Sequence, residues 1–105
     1  MDSYTLKTLP IADRQVDAII SYLELEFENY DYAKKVYDSI VRCYALIESN
    51  PFLFKRSVDS VLYERGFRTA MAMDKYAIVY KIDEVNATVW VHGVFFSTMD
   101  YFKLV

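Results

Sequence analysis

One histidine, one cysteine and a short stretch rich in cations are the side chains of this 105-residue chain with reactive potential. His92 has the ordinary pKa best suited to proton transfer near neutral pH. Its strand parity places it beside Trp90 and Val94, where a hydrogen-bonded sheet histidine is the first reading. Cys43 has no thiol to pair with, and the two together are too few soft ligands for a zinc site of the usual Cys/His kind. Neither a metal nor another cofactor is expected. Cys43 falls within a helical pattern with no base near it in sequence, so it reads as a small core residue.

The cations are unevenly placed. The net charge of −3 argues against a protein that binds nucleic acid through bulk positive charge. Counted by segment, residues 1–53 carry −4, residues 54–81 carry +3 and residues 82–105 carry −2. The basic segment holds Lys55, Arg56, Arg65, Arg68, Lys75 and Lys81. Such a cluster could bind phosphate, or form an ordinary solvated surface that complements an acidic partner. The aromatic content of 17% could supply base-stacking platforms, yet Tyr22, Phe27, Tyr37 and Tyr44 fall on or near helix faces and read as core or interface.

The elements that must position these groups follow from periodicity. Tyr4 to Thr8 alternates weakly and stops before Pro10, a residue suited to the first turn of a helix. Ala12, Val16, Ile19, Ile20, Leu23 and Phe27 then form one apolar helical face. Asn29-Tyr30-Asp31 offers a break with capping chemistry. Ala33, Val36, Tyr37, Ile40, Tyr44 and Ile47 repeat the helical spacing up to Asn50-Pro51, and the two helices make a hairpin. Residues 52–66 read as an ordered connection, with room for a helical turn or two between Val58 and Arg65. After Gly66 the period becomes two, and Phe67–Met73, Tyr76–Ile82 and Thr88–Phe96 read as an antiparallel meander.

Strict alternation puts Tyr76, Ile78, Tyr80 and Ile82 on one face of this sheet. In the last strand it sets Val89, Val91 and Phe95 against Trp90, His92, Val94 and Phe96. Both faces are substantially apolar, and two helices cover one. Either the second face awaits a partner, or residues 52–65 and the tail 101–105 fold over it. The expected class is α+β in a single domain, 1–105, with an N-terminal strand, a helical hairpin and an antiparallel β-meander. No secretion signal opens the chain and no apolar run approaches a membrane span, so a cytoplasmic protein with no membrane partner is expected.

In this β-α-α-β-β-β order, several stretches carry a family resemblance. Asn50-Pro51, Arg65-Gly66-Phe67-Arg68, Lys75-Tyr76-Ala77-Ile78-Val79-Tyr80-Lys81-Ile82-Asp83-Glu84 and Asp100-Tyr101-Phe102-Lys103-Leu104 resemble the "NP", "GYR", "NYxIxYxVDE" and "RRDYxxLL" stretches of the RelE/ParE superfamily of bacterial toxins. The resemblance implies the toxin of a type II toxin–antitoxin module. Such a toxin inhibits growth by ribosome-dependent mRNA cleavage or by poisoning DNA gyrase, and a cognate antitoxin neutralises it. Homo-oligomers and toxin–antitoxin hetero-oligomers both fit that implication. It also assigns Arg68 and Tyr101 as catalytic, and Lys55, Arg56, Arg65 and Lys75 as substrate-binding. The chain departs from the pattern just before Asp100, where Val94-Phe95-Phe96-Ser97-Thr98-Met99 lacks the basic residues or histidine of the family. The alternative is therefore a catalytically degenerate antitoxin-binding module without RNase activity.

Overall fold

The computed structural model describes residues 3–57, 59–99, 101, 104 and 105. Its elements are β1 (Thr5–Thr8), α1 (Pro10–Glu26), α2 (Tyr30–Ser49), α3 (Ser60–Glu64), β2 (Arg68–Ala72), β3 (Tyr76–Asp83) and β4 (Thr88–Phe96). They form one four-stranded sheet in the order β1-β4-β3-β2, with β1 parallel to β4 and the other pairs antiparallel. This is the expected α+β architecture.

Local chemistry explains the helix boundaries. Pro10 opens α1, where its missing N–H costs nothing. Asn29 caps α2, its side-chain oxygen accepting from the Tyr32 N–H at 3.1 Å. The apolar faces of both helices turn toward the sheet. Ala12, Val16, Ile19 and Leu23 of α1 and Ala33, Val36, Ile40, Cys43 and Ile47 of α2 are buried with Ala70, Ile78, Tyr80, Val89, Val91 and Val94. Cys43 is thus a core residue, whereas Tyr37, expected on the apolar face, stands 49% exposed at its margin. Phe27 also leaves the expected core face. It is 61% exposed and packs edge-on against Tyr22, ring centroids 5.3 Å apart.

The last strand corrects the strict alternation. Val79 pairs with Gly93 and Tyr80 with Val91, so His92 is an extra residue in β4. Such a bulge shifts side-chain parity by one. Val89, Val91, Val94 and Phe96 therefore share the helix-facing side, while Phe95 turns to the opposite side with Val79. Val91 and Phe95, which alternation placed together, lie on opposite faces. Gly93 is required at the bulge, because a Cβ there would lie 2.3 Å from the ring of Phe95.

The second face of the sheet is covered by the chain itself, at least over its middle. Leu62, Phe67, Val79 and Phe95 form a separate buried cluster, with Tyr101 and Val105 packed against it. The cover is delivered by α3, which Asp59 caps through bonds from the N–H groups of Val61 at 2.9 Å and Leu62 at 3.1 Å. Its C-terminus turns sharply. Gly66 N–H donates to the Tyr63 carbonyl and Phe67 N–H to the Leu62 carbonyl, at 3.0 and 2.9 Å, with Gly66 at φ +84°. That pair of hydrogen bonds is a Schellman cap, whose left-handed residue favours glycine, and its usual apolar contact is made here by Leu62 and Phe67. The turn delivers Arg65, Phe67 and Arg68 to the edge of the sheet. Among the described residues, no helix is long and apolar enough to cross a membrane.

Candidate functional site

The basic segment is split by the sheet into groups that face different ways. Arg68 pairs with Tyr80 across β2 and β3, so it lies on the helix-facing side. Its guanidinium donates to the Phe54 carbonyl at 2.6 Å and stands 5.2 Å from the Phe52 ring centroid. Tyr80 donates its hydroxyl to the Pro51 carbonyl at 2.7 Å. Burial pushes that phenol up to about 12, while the nearby Arg68 charge pulls the other way. Together Arg68 and Tyr80 pin the connection 51–57 to the sheet.

Arg56 belongs to the same end of the molecule. It donates to the Tyr63 carbonyl and lies over the Tyr63 ring at 4.1 Å. Phe52, Arg56, Gly66, Arg68, Ile82 and Glu84 line a cleft of about 180 Å³ there. Two guanidiniums and a carboxylate in one cleft can hold a phosphate beside a proton acceptor, although both guanidiniums are partly engaged, Arg56 by the Tyr63 carbonyl of α3 and Arg68 by the Phe54 carbonyl of the connection. Lys55 is exposed on the same connection.

A second group sits on the outer face of the sheet around Phe67. The guanidinium of Arg65 and the ammonium of Lys81 lie 5.0 and 5.4 Å from the Phe67 ring centroid. His92 meets the same ring edge-on at 4.8 Å. Burial lowers the His92 pKa, and the Lys81 and Arg65 charges lower it further, so the imidazole is held neutral at physiological pH. Tyr101 joins this face by stacking on Phe95, ring centroids 5.6 Å apart and planes within 15°. Burial, and then the charge of Asp59, raise its pKa, so the phenol keeps its proton. One row further along, Lys81 pairs with Trp90, which pairs in turn with Lys7, whose ammonium stands 5.7 Å from the Trp90 ring.

The site residues expected from sequence thus form three sets. Arg56 and Arg68 share the cleft with Lys55 nearby, Arg65 and Tyr101 lie on the outer face, and Lys75 is remote from both. Lys75 occupies the β2–β3 turn, at the opposite end of β2 from Arg68, where its ammonium donates to the Tyr32 hydroxyl at 3.3 Å. Asp100, Phe102 and Lys103 of the terminal motif lie outside the described residues. Sequence reasoning passed over Lys81, Lys7 and Trp90 as site residues. A signal was present in the alternation of β3, which carries a lysine on the otherwise apolar stripe of Ala77 and Val79.

No family model matches the sequence, and no curated protein does. Solved structures do. A chain of the RelBE2 toxin–antitoxin complex from Mycobacterium tuberculosis matches with a TM-score of 0.64 at 17% identity, covering 90% of this chain and 99% of that one. A chain of the chromosomal ParDE TA system from P. aeruginosa matches with a TM-score of 0.68 at 17% identity, covering 90% and 96% respectively. The chain has a RelE/ParE-like fold. At this identity the likeness is one of backbone, and side-chain chemistry must be argued from the residues present. Within the RelE/ParE-like fold, the outer face around Phe67 is where this chain gathers a neutral imidazole, two cations and a protonated phenol.

Proposed function

We propose that the chain is the toxin half of a type II toxin–antitoxin module, that its free form arrests growth by cleaving RNA during translation, and that a cognate antitoxin neutralises it. The toxin reading is supported by the likeness in fold to chains of two toxin–antitoxin complexes. The RNA reading rests on one arrangement, His92 gathered with Arg65 and Lys81 around the Phe67 ring on the outer side of the sheet.

Cleavage by internal attack needs a base at the 2′-hydroxyl, cations for the phosphorane and an acid for the leaving oxygen. In this reading His92 takes the 2′-hydroxyl proton as that oxygen bonds to the adjacent phosphorus. Arg65 and Lys81 hold the charge that grows on the phosphate oxygens. Tyr101 gives its proton to the departing 5′-oxygen, which leaves a 2′,3′-cyclic phosphate. The half-buried Trp90 offers a ring on which a base can stack. Arg68 acts one step back, holding the connection that carries Lys55 and Arg56.

The second reading is the degenerate binding module, favoured by the stacking of both Arg65 and Lys81 on Phe67, which partly satisfies these cations. Inducible expression in bacteria, with labelled leucine and thymidine followed in parallel, separates the cases. Early loss of leucine incorporation, relieved in soluble His92→Gln, is the expected result. An earlier fall in thymidine incorporation would move the target to gyrase, and undisturbed growth with soluble protein would leave only the binding module.

A further inference from the structure

The outer face of the sheet carries a row that extends beyond the groups of the cleavage chemistry. Lys7 of β1, Trp90 of β4 and Lys81 of β3 are register partners across three adjacent strands. Register partners present their side chains on one face, so the row reads cation, aromatic ring, cation. The Lys7 ammonium stands 5.7 Å from the Trp90 ring, while Lys81 reaches the other way, to 5.4 Å from the Phe67 ring. Both lysines are exposed and the indole is half-buried. Among the described residues no other ring packs against Trp90, so its aromatic surface is not taken up by an internal stack.

The order of groups along β4 gives this row a direction. Trp90 precedes His92, and Phe95, on which Tyr101 stacks, follows it. In the cleavage reading His92 faces the 2′-hydroxyl and Tyr101 the departing 5′-oxygen, so the nucleotide 3′ of the broken bond lies toward Phe95. The nucleotide that carries the 2′-hydroxyl then lies toward Trp90. Charge bounds the path at that end. Asp83 and Thr88 form the next row, and the Asp83 carboxylate, kept ionised by hydrogen bonds from the Asn86 side chain at 2.7 Å and backbone at 3.2 Å, repels a phosphate there.

We infer that Lys7 and Trp90 form a subsite for the nucleotide on the 5′ side of the broken bond, its base stacked on the indole and its 5′-phosphate held by Lys7, so that RNA runs 5′ to 3′ in the direction of β4. The inference rests on the RNA reading for the identity of the ligand, and adds two binding residues and a polarity to it. A single strand alternates phosphate and base, which a ring between two cations matches. Paired bases hide their faces, so the subsite takes unpaired RNA, and stacking accepts any base, so it sets polarity rather than sequence. An acidic peptide would satisfy the lysines and leave the indole without a role.

Trp90 is the chain's single tryptophan, so its fluorescence reports the subsite directly. The probe is a 2′-O-methyl dinucleotide, which cannot be cleaved, added to the purified chain with no terminal phosphate, a 5′-phosphate or a 3′-phosphate. Saturable quenching is expected, with the 5′-phosphate tightening Kd about fivefold at low salt. Lys7→Ala should remove that gain and reduce the slope of log Kd against log salt by about 0.7, one single-strand phosphate contact. Lys35→Ala, an exposed charge on α2, should change neither. Equal effects of Lys7→Ala and Lys35→Ala would reduce the binding to general charge and overturn the inference. A Lys7-dependent gain from the 3′-phosphate instead would reverse the polarity and overturn it too, and equal quenching by a glutamate dipeptide would reassign the row to acidic peptides. Absence of quenching, with growth arrest still relieved by His92→Gln, would overturn the inference alone. Absence of quenching together with undisturbed growth on expression of the parent would overturn the RNA reading and the inference with it.

Discussion

Replacing Arg68 by alanine separates a loop anchor from a target-facing cation. The guanidinium is half-buried, donates to the Phe54 carbonyl at 2.6 Å and stands over Phe52. A hydrogen bond from a charged group contributes about 1.5–3 kcal/mol, and the lower end applies because water can reach the vacated carbonyl. The cation–π contact adds about 0.5 kcal/mol at a partly exposed position. The expected loss is therefore about 2 kcal/mol. For a domain of this size, that lowers the thermal midpoint by about 8 °C, taking roughly 4 °C per kcal/mol. Circular dichroism on the purified variants reads the shift directly. Arg68→Lys should recover little, because an ammonium cannot stack on Phe52 while reaching the same carbonyl. If alanine moves the midpoint by less than 2 °C yet abolishes growth arrest, Arg68 touches the target and the anchoring argument is wrong.

Other expectations are equally specific. Gly93→Ala drives a methyl into the buried Phe95 ring and should cost about 1–3 kcal/mol, read as a lower urea midpoint at unchanged slope. Tyr44→Phe removes an unpartnered buried hydroxyl and should stabilise the free chain by about 1 kcal/mol, so a lower midpoint would show the hydroxyl has a partner after all. His92 should make stability pH-dependent. Its pKa is lower folded than unfolded, so the unfolded chain binds more protons and stability rises with pH in that window. The His92 contribution is complete above the unfolded pKa of about 6.5 and is lost as pH falls through the folded value. Denaturant titrations at pH 7.5 and 5.0 should differ for the parent and differ less for His92→Gln, and equal differences would assign the effect to other groups.

Much of the architecture was legible because it is written in local periodicity. Ala12, Val16, Ile19 and Leu23 repeat at helical spacing, and that spacing dictates which side of α1 can be buried whatever it packs against. The same holds for α2, where the Asn29 cap and Asn50-Pro51 mark both ends. The alternation of β3 announced a strand with two apolar faces. The candidate site was less legible. Arg65 and Tyr101 were named, but their neighbours Lys81 and Trp90 were not, because cross-strand contacts depend on register and register is not local.

What the sequence by itself determined is the order of elements and the buried stripe of each helix, since both follow from side-chain spacing within a few residues. The tertiary structure decided which faces meet. An extra residue at His92 reversed the parity of Val94, Phe95 and Phe96, a change invisible to alternation because a bulge is stabilised by the strand it pairs with. It also decided that α3, with Tyr101 and Val105, covers the outer face, and that Arg68 turns toward a loop while Arg65, one turn of chain earlier, turns toward the Phe67 ring that His92 also meets. Those outcomes depend on groups distant in sequence competing for the same surface, and only the packed chain resolves that competition.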